Sequence, residues 1–239
     1  MRLNKDWESE AHNWIAWART PGHDSYWQFS PLFFDLLPRA GRLTIELGCG
    51  EGRVCRDLAA RDHRVVGIDA SPTLLHAARA AHEQGSYVLA DAAALPFETA
   101  QFDLVVAYNS LMDIADMPGA VAEAARVLQP GGRLCICVTH PLADSGGFTE
   151  RRADAPFVIT GSYLERRRLE VSLERAGLHM TFRGWALPLE GYARALEAAG
   201  LLIEALREPP IPREFLAADP DEGRWSRIPN FLFLRAVRP

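Results

Sequence analysis

Three acidic residues pose the first chemical question. Glu46, Asp69 and Asp91 each lie at or near the end of an apolar run, in "LTIEL", "VVGID" and "YVLAD". Directly after the first comes "LGCGEG", Leu47 to Gly52, with glycine at every second position. Glycine costs conformational entropy, so such a cluster marks a sharp turn or a backbone that something approaches closely. Carboxylates beside it accept hydrogen bonds from hydroxyl and amino groups. The same row of charge repels a pyrophosphate and suits a ligand with a cationic centre. His140, ending the run "CVTH", is the first candidate for a general base or a substrate anchor.

Elements must hold these residues together. Strand-like runs at 42–47, 64–69, 86–91, 102–108 and 133–140 alternate with helical stretches at 52–61, 72–83 and 117–128. The strands are almost continuously apolar, as when helices cover both faces of a sheet. Strand–helix alternation implies right-handed crossovers and a parallel sheet. Ser71-Pro72 reads as a helix cap with proline in the first turn. "QPGGR" (129–133) reads as a turn before the fifth strand. In such sheets ligands sit outside the carboxyl ends of the strands, where the three acids fall. The 141–187 segment breaks the pattern and is expected to be an inserted lid with short strands or helices. An amphipathic helix over 187–200 and two strands, "LLIEALREP" and "NFLFLRAVRP", follow; a proline-rich loop would let them pair antiparallel at one edge. Two helices, roughly 7–19 and 29–37, fit the aromatic N-terminus. The linker between them gathers His23, Asp24, Tyr26 and Trp27.

Two ligands compete for the glycine loop: a dinucleotide, with its pyrophosphate on the helix N-terminus, and S-adenosylmethionine. Gly48-x-Gly50-x-Gly52 departs from GxGxxG, and Asp69 would hold ribose hydroxyls in either case. The third strand separates them. In "LADAAALPF", Asp91 can accept from an adenine amino group beside a donating backbone N–H. In "FDLVVAYNSL", carbonyls at the fourth strand tip can receive a methionine ammonium, which Glu46 can also orient.

"IELGCGEGR", "VVGIDASPTLL", "DAAALPF", "FDLVVAYNSL" and "RVLQPGGRL" occur in this order. The set resembles the class I S-adenosylmethionine-dependent methyltransferases, in particular the small-molecule, type 11-like branch. The likeness is strong over roughly 40–140 and looser in the tail. It implies an α/β, Rossmann-like, doubly wound, seven-stranded, mostly parallel sheet with an antiparallel last strand. One domain over 1–239 would comprise an N-terminal helical cap (1–40), a cofactor-binding core (41–140), the inserted lid (141–187) and a C-terminal helix with a strand pair (188–239). Carried across by position, Glu46, Gly48, Cys49 and Gly50 would line the methionine part of S-adenosyl-L-methionine. Asp69 and Ala70 would take the ribose, Asp91 and Ala92 the adenine. Tyr108 and Asn109 would border the sulfonium. Where many relatives carry histidine after the fourth strand, this chain has Asp113, which is placed with the substrate.

The implied function is methyl transfer to O, N, S or C of a small molecule. The alternative is a protein that binds S-adenosylmethionine or S-adenosylhomocysteine without transfer. The methyl is already activated, so the protein's task is alignment and exclusion of water. His140 and Tyr26 are the catalytic candidates, Tyr26 together with Trp27 closing over the site. Trp27, Asp113 and Trp185 are candidates for substrate contact.

Other classes are disfavoured. A net charge of -5 argues against nonspecific nucleic-acid binding. No apolar run is long enough for a membrane span, and no signal-peptide core is seen at the start, so a cytoplasmic protein is expected. Cys49, Cys55, Cys135 and Cys137 lack metal-ligand spacing and read as buried thiols; no metal is expected.

Overall fold

The computed structural model describes residues 5–239. Two helices open the chain, α1 (Lys5–Arg19) and α2 (Tyr26–Phe34). The alternating part follows: β1 (Thr44–Leu47), α3 (Arg53–Ala59), β2 (Val65–Asp69), α4 (Pro72–Ala81), β3 (Ser86–Leu89), β4 (Phe102–Tyr108), α5 (Met117–Val127) and β5 (Leu128–Thr139). Two hairpins come next, β6 (Gly146–Phe148) with β7 (Phe157–Ile159), and β8 (Arg167–Arg175) with β9 (Leu178–Ala186). The chain finishes with α6 (Leu189–Ala198), β10 (Leu202–Arg207), α7 (Arg213–Ala218) and β11 (Phe231–Val237).

The main sheet has seven strands in the order β10-β11-β5-β4-β1-β2-β3. β1 to β5 are parallel; β11 runs antiparallel between β5 and β10. The strand order reverses between β1 and β4, which opens a crevice at their carboxyl ends. Alternation along β4 explains the two cores. Val105 and Ala107 face α5 and α6, while Leu104 and Val106 face α2 and α3. Cys135 and Cys137 share that second face and are free, buried thiols.

Local chemistry sets the helix starts. Ser71 accepts from the Leu74 N–H at 3.1 Å with Pro72 in the first turn, and Asp116 caps Gly119 at 3.0 Å. The turn expected at 129–133 is an excursion within β5. Leu128 pairs with Phe102 and Arg133 with Leu104, so the Gln-Pro-Gly-Gly segment loops out and bonds the C-terminal end at Arg238.

Three expectations shift. α2 starts at Tyr26, earlier than expected, because Asp24 accepts from the Tyr26 N–H at 3.2 Å and turns the chain into the helix. Tyr26 and Trp27 are therefore helical residues, not linker. β11 inserts beside β5, leaving β10 at the edge, and their connection carries α7 and a 3₁₀ turn instead of a plain loop. The aromatics also divide. Those of α2 other than Trp27 enter the core, Phe29 and Phe33 completely. Trp14 and Trp17 of α1 instead meet Phe182 of β9 edge-on, at centroid distances of 6.2 and 5.8 Å. α1 is anchored at both ends: Arg19 donates to Glu51 at 2.9 Å, and Glu8 accepts from the Thr73 hydroxyl at 2.6 Å. The helix and the β8–β9 hairpin thus roof the crevice.

Candidate active site

The glycine loop turns where β1 ends. Gly48 and Gly50 have φ of 69° and 56°, a region L side chains rarely adopt. A Cβ on Gly48 would lie 2.6 Å from the Ser110 Cβ, and one on Gly50 would lie 3.1 Å from the Trp14 indole nitrogen. The loop is glycine-rich because β4's tip presses from one side and α1 from the other.

Asp69 ties this loop to the next strand tip. One carboxylate oxygen accepts from the Gly50 N–H and the other from the Ser71 N–H, both at 2.8 Å. Burial raises its pKa, and those backbone donors oppose the rise. Glu46 is 1% exposed and accepts from the Cys55 thiol at 2.8 Å. Burial pushes its carboxyl up to about 8, with the Cys55 bond pulling the other way and the charge of Asp69 adding to the rise. Asp91 accepts from the Ala93 N–H at 2.9 Å in the turn after β3. At the fourth tip Asn109 holds a φ of 50°, and its N–H donates to the Cys137 carbonyl at 2.8 Å. Ser110 donates to the Leu47 carbonyl at 2.6 Å, locking this tip to the loop.

Glu46, Gly48, Cys49, Gly50, Asp69, Ala70, Asp91, Ala92, Tyr108 and Asn109 all line one cavity of about 1320 Å³. A site for one drug-sized ligand occupies roughly 300–1,000 Å³, so there is space for two reactants. Asp113 and Trp185 line the same cavity. Asp113 lies under the hairpin: a Cβ on Gly184 would be 2.5 Å from its Oδ1. Burial lifts its carboxyl well above the ordinary range, against a hydrogen bond from Trp7.

Three candidates are placed elsewhere. His140 is 6% exposed and does not line the cavity. Its Nδ1 accepts from the Leu142 N–H and its Nε2 meets Glu208 Oε1, both at 3.0 Å. Both ring nitrogens are spent on holding the turn after β5, which corrects its reading as a base. Tyr26 donates its hydroxyl to Asp57 and packs edge-on against Tyr108 in the core. Burial, then Asp57, holds its phenol far above the usual range, so it is no proton shuttle here. Trp27, on the outer side of α2, is 42% exposed and also lies off the cavity.

Other cavity residues escaped the sequence reading. Arg53, first in α3, pairs with Asp24 at 2.7 Å, its guanidinium 4.1 Å from the Tyr26 ring centroid and 4.9 Å from that of Trp14. Its position immediately after the loop was the available signal. Asp144, in the 3₁₀ turn after β5, also lines the cavity. So do Leu169, Val171 and Leu173 of β8. Their strict alternation with Glu170 and Ser172, before the turn at Ala176-Gly177, was a legible hairpin signal.

The comparisons bear on this geometry. The methyltransferase domain family matches residues 45–136. A solved S-adenosylmethionine-dependent methyltransferase from Mesorhizobium loti superposes with a TM-score of 0.71 at 25% identity, covering 90% of this chain and 98% of that one. Residues 45–136 thus match a methyltransferase domain, and the chain shares the fold of that solved methyltransferase. Sequence relatives of the domain include the demethylmenaquinone methyltransferase of Tropheryma whipplei (strain Twist), 34% identical over 121 residues, 49% of this chain and 47% of that protein. The O-methyltransferase cnsE of Penicillium expansum is 37% identical over 120 residues, 46% and 44% of the two chains. The chain thus spans about half the length of the curated relatives it matches. The methyltransferase domain contributes the loop and the β1, β2, β3 and β4 tips; α1 and the β8–β9 hairpin, which roof the cavity, lie outside the matched residues. Among the described residues no helix is long and apolar enough to cross a membrane.

Proposed function

We propose that this protein transfers the methyl group of S-adenosyl-L-methionine to a small-molecule acceptor bound beside it in the same cavity. The observation that carries this reading is the convergence of the glycine loop, Asp69 and Asp91 on one crevice large enough for both molecules.

The residues fit the cofactor. Asp69 and Asp91 would accept hydrogen bonds from ribose hydroxyls and the adenine amino group, and Ala70 and Ala92 leave room beside them. Glu46 is a buried carboxyl held up to about 8 in the free protein. An arriving ammonium would return it to the charged form. Arg53 and Arg168, two cations of the cavity wall, are paired with Asp24 and Asp6. When bound, the cofactor supplies a methyl activated by its sulfonium.

The chain's own work is alignment. Ser110 and Asn109 fix the tip of β4, so the floor beneath the acceptor does not move. Trp14, Phe182 and Trp185 form an apolar wall that excludes water. Such positioning supplies about 7–11 kcal/mol in the best cases, without a strong electrophile built by the protein. His140 takes no part. The direct test is production of S-adenosylhomocysteine over a panel of amines, alcohols, thiols and carboxylates. Turnover of at least one acceptor is expected, with His140→Ala retaining it. Absence of turnover in every class, despite tight cofactor binding, would favour a binding protein.

A further inference from the structure

The acceptor side of the cavity carries two carboxyl groups on neighbouring strand tips. Asp113 ends the 3₁₀ turn after β4, and Asp144 sits in the 3₁₀ turn after β5. Both line the cavity. Asp113 receives the Trp7 indole and lies against Gly184. Among the described residues the Asp144 carboxyl takes part in no hydrogen bond or ion pair. Two nearby cations have other partners: Arg167 donates to the Asp144 main-chain carbonyl, and Arg168 pairs with Asp6. Burial, then the charges of both acids, raises the pKa of the Tyr192 phenol. The wall also holds unsatisfied donors. Among the described residues, the Trp17 indole, 3% exposed, and the Trp185 indole line the same cavity with N–H groups that have no partner. Buried N–H donors left in this state point to a bound molecule that brings acceptor atoms into the cavity.

We infer that the acceptor is an amine with an apolar body, bound as its ammonium ion between Asp113 and Asp144, and that Asp144 takes its proton before methylation. This rests on reading the cavity as the S-adenosylmethionine site. Two carboxyls in an apolar wall are costly unless a cation joins them. A carboxylate acceptor would bring a further acid beside them, and a neutral alcohol would do nothing to favour their ionised form. Burial, opposed by Arg167, raises the Asp144 carboxyl to about 7, within reach of a proton transfer near neutrality. Leu169, Val171 and Trp185 offer the apolar body its contacts.

The step balances as follows. One N–H bond of the ammonium breaks, its electron pair stays on nitrogen, and the proton passes to an Asp144 oxygen. The freed lone pair forms the N–CH₃ bond while the S–CH₃ bond breaks, its pair remaining on sulfur. The positive charge of the sulfonium reappears on the methylated nitrogen. The proton on Asp144 leaves to solvent when product departs.

The test is calorimetric titration of the S-adenosylhomocysteine-loaded protein with 2-phenylethylamine, 2-phenylethanol and 3-phenylpropionate. The amine is expected to bind at least about tenfold tighter than the other two. Asp144→Asn should remove that preference while leaving 2-phenylethanol and S-adenosylhomocysteine affinities unchanged. An amine no tighter than the alcohol or the carboxylate overturns the inference, as does an Asp144→Asn protein that keeps the preference. Should that variant fail to fold, the parent's own selectivity decides. Failure of S-adenosylhomocysteine to bind would remove the cofactor reading and this inference together; its binding without an amine preference would remove this inference alone.

Discussion

Glu46 illustrates how much the environment of a single carboxyl decides. Its burial beneath the loop holds the proton to about 8, whereas an ordinary glutamate sits at 4.5. Between these values the folded protein binds a proton that the unfolded chain has released. This group's stabilisation is therefore full below 4.5 and is lost as pH rises through about 8. The slope is on the order of 1 kcal/mol per pH unit. We expect urea denaturation between pH 6.5 and 8 to show stability falling with pH, and Glu46→Gln to fall less steeply. An ammonium placed beside Glu46 reverses the balance, so binding of S-adenosylhomocysteine, whose amino-acid part carries one, should release a proton near neutrality, seen as buffer-dependent heats. Asp69 differs, because two backbone N–H groups already satisfy it. Asp69→Ala removes both and the ribose acceptor. Hydrogen bonds to charged groups contribute about 1.5–3 kcal/mol, so cofactor affinity should fall roughly ten- to hundredfold. His140→Ala, by contrast, should lower stability through the lost turn contacts and leave cofactor affinity unchanged.

At the scale of elements, the β8–β9 hairpin is coupled to the acceptor side through Gly184. A methyl there would meet Asp113 Oδ1 at 2.5 Å, and the short aspartate has little freedom to retreat. Gly184→Ala is expected to raise the KM for the acceptor at least several-fold while S-adenosylhomocysteine affinity stays within about twofold. Equal loss of both would show that the hairpin acts on the whole cavity. The contrast between core and roof also explains what was legible in the sequence. β1, β2, β4 and β5 pack against helices on both faces, and Ile45, Val105 and Val106 are wholly buried, so their runs of apolar residues announce them. Ser71 with Pro72 marks a helix start by its chemistry. The cofactor side was readable because strand tips are tied to strand sequence. The acceptor side was not, since it depends on how α1 and the hairpin fold back from distant parts of the chain. Nothing local distinguishes Trp14, which faces Phe182 and the cavity, from Trp27, which faces solvent. Nor does the run ending in His140 reveal that Glu208 and the Leu142 N–H occupy both of its ring nitrogens.

For the whole molecule, a methyltransferase domain supplies one wall of the cavity and the flanking segments supply the other. The roof is joined by ring contacts such as Trp17 with Phe182 at 5.8 Å, and by ion pairs such as Arg183 with Glu10 at 3.3 Å. We expect amide exchange in α1 and β9 to slow on ligand binding, because both elements border the space that fills; unchanged exchange there would mean that they do not close the site. The central claim is that this crevice binds the adenosyl and amino-acid frame common to S-adenosylmethionine and S-adenosylhomocysteine. The measurement that tests it most directly is a calorimetric titration with S-adenosylhomocysteine, repeated with Asp69→Ala, Asp91→Ala and, as a control, NAD. The account predicts one S-adenosylhomocysteine per chain at low-micromolar affinity, weakened about tenfold or more by either substitution, with no heat from NAD. Absence of binding at millimolar concentration, or affinity indifferent to both aspartates, would contradict it.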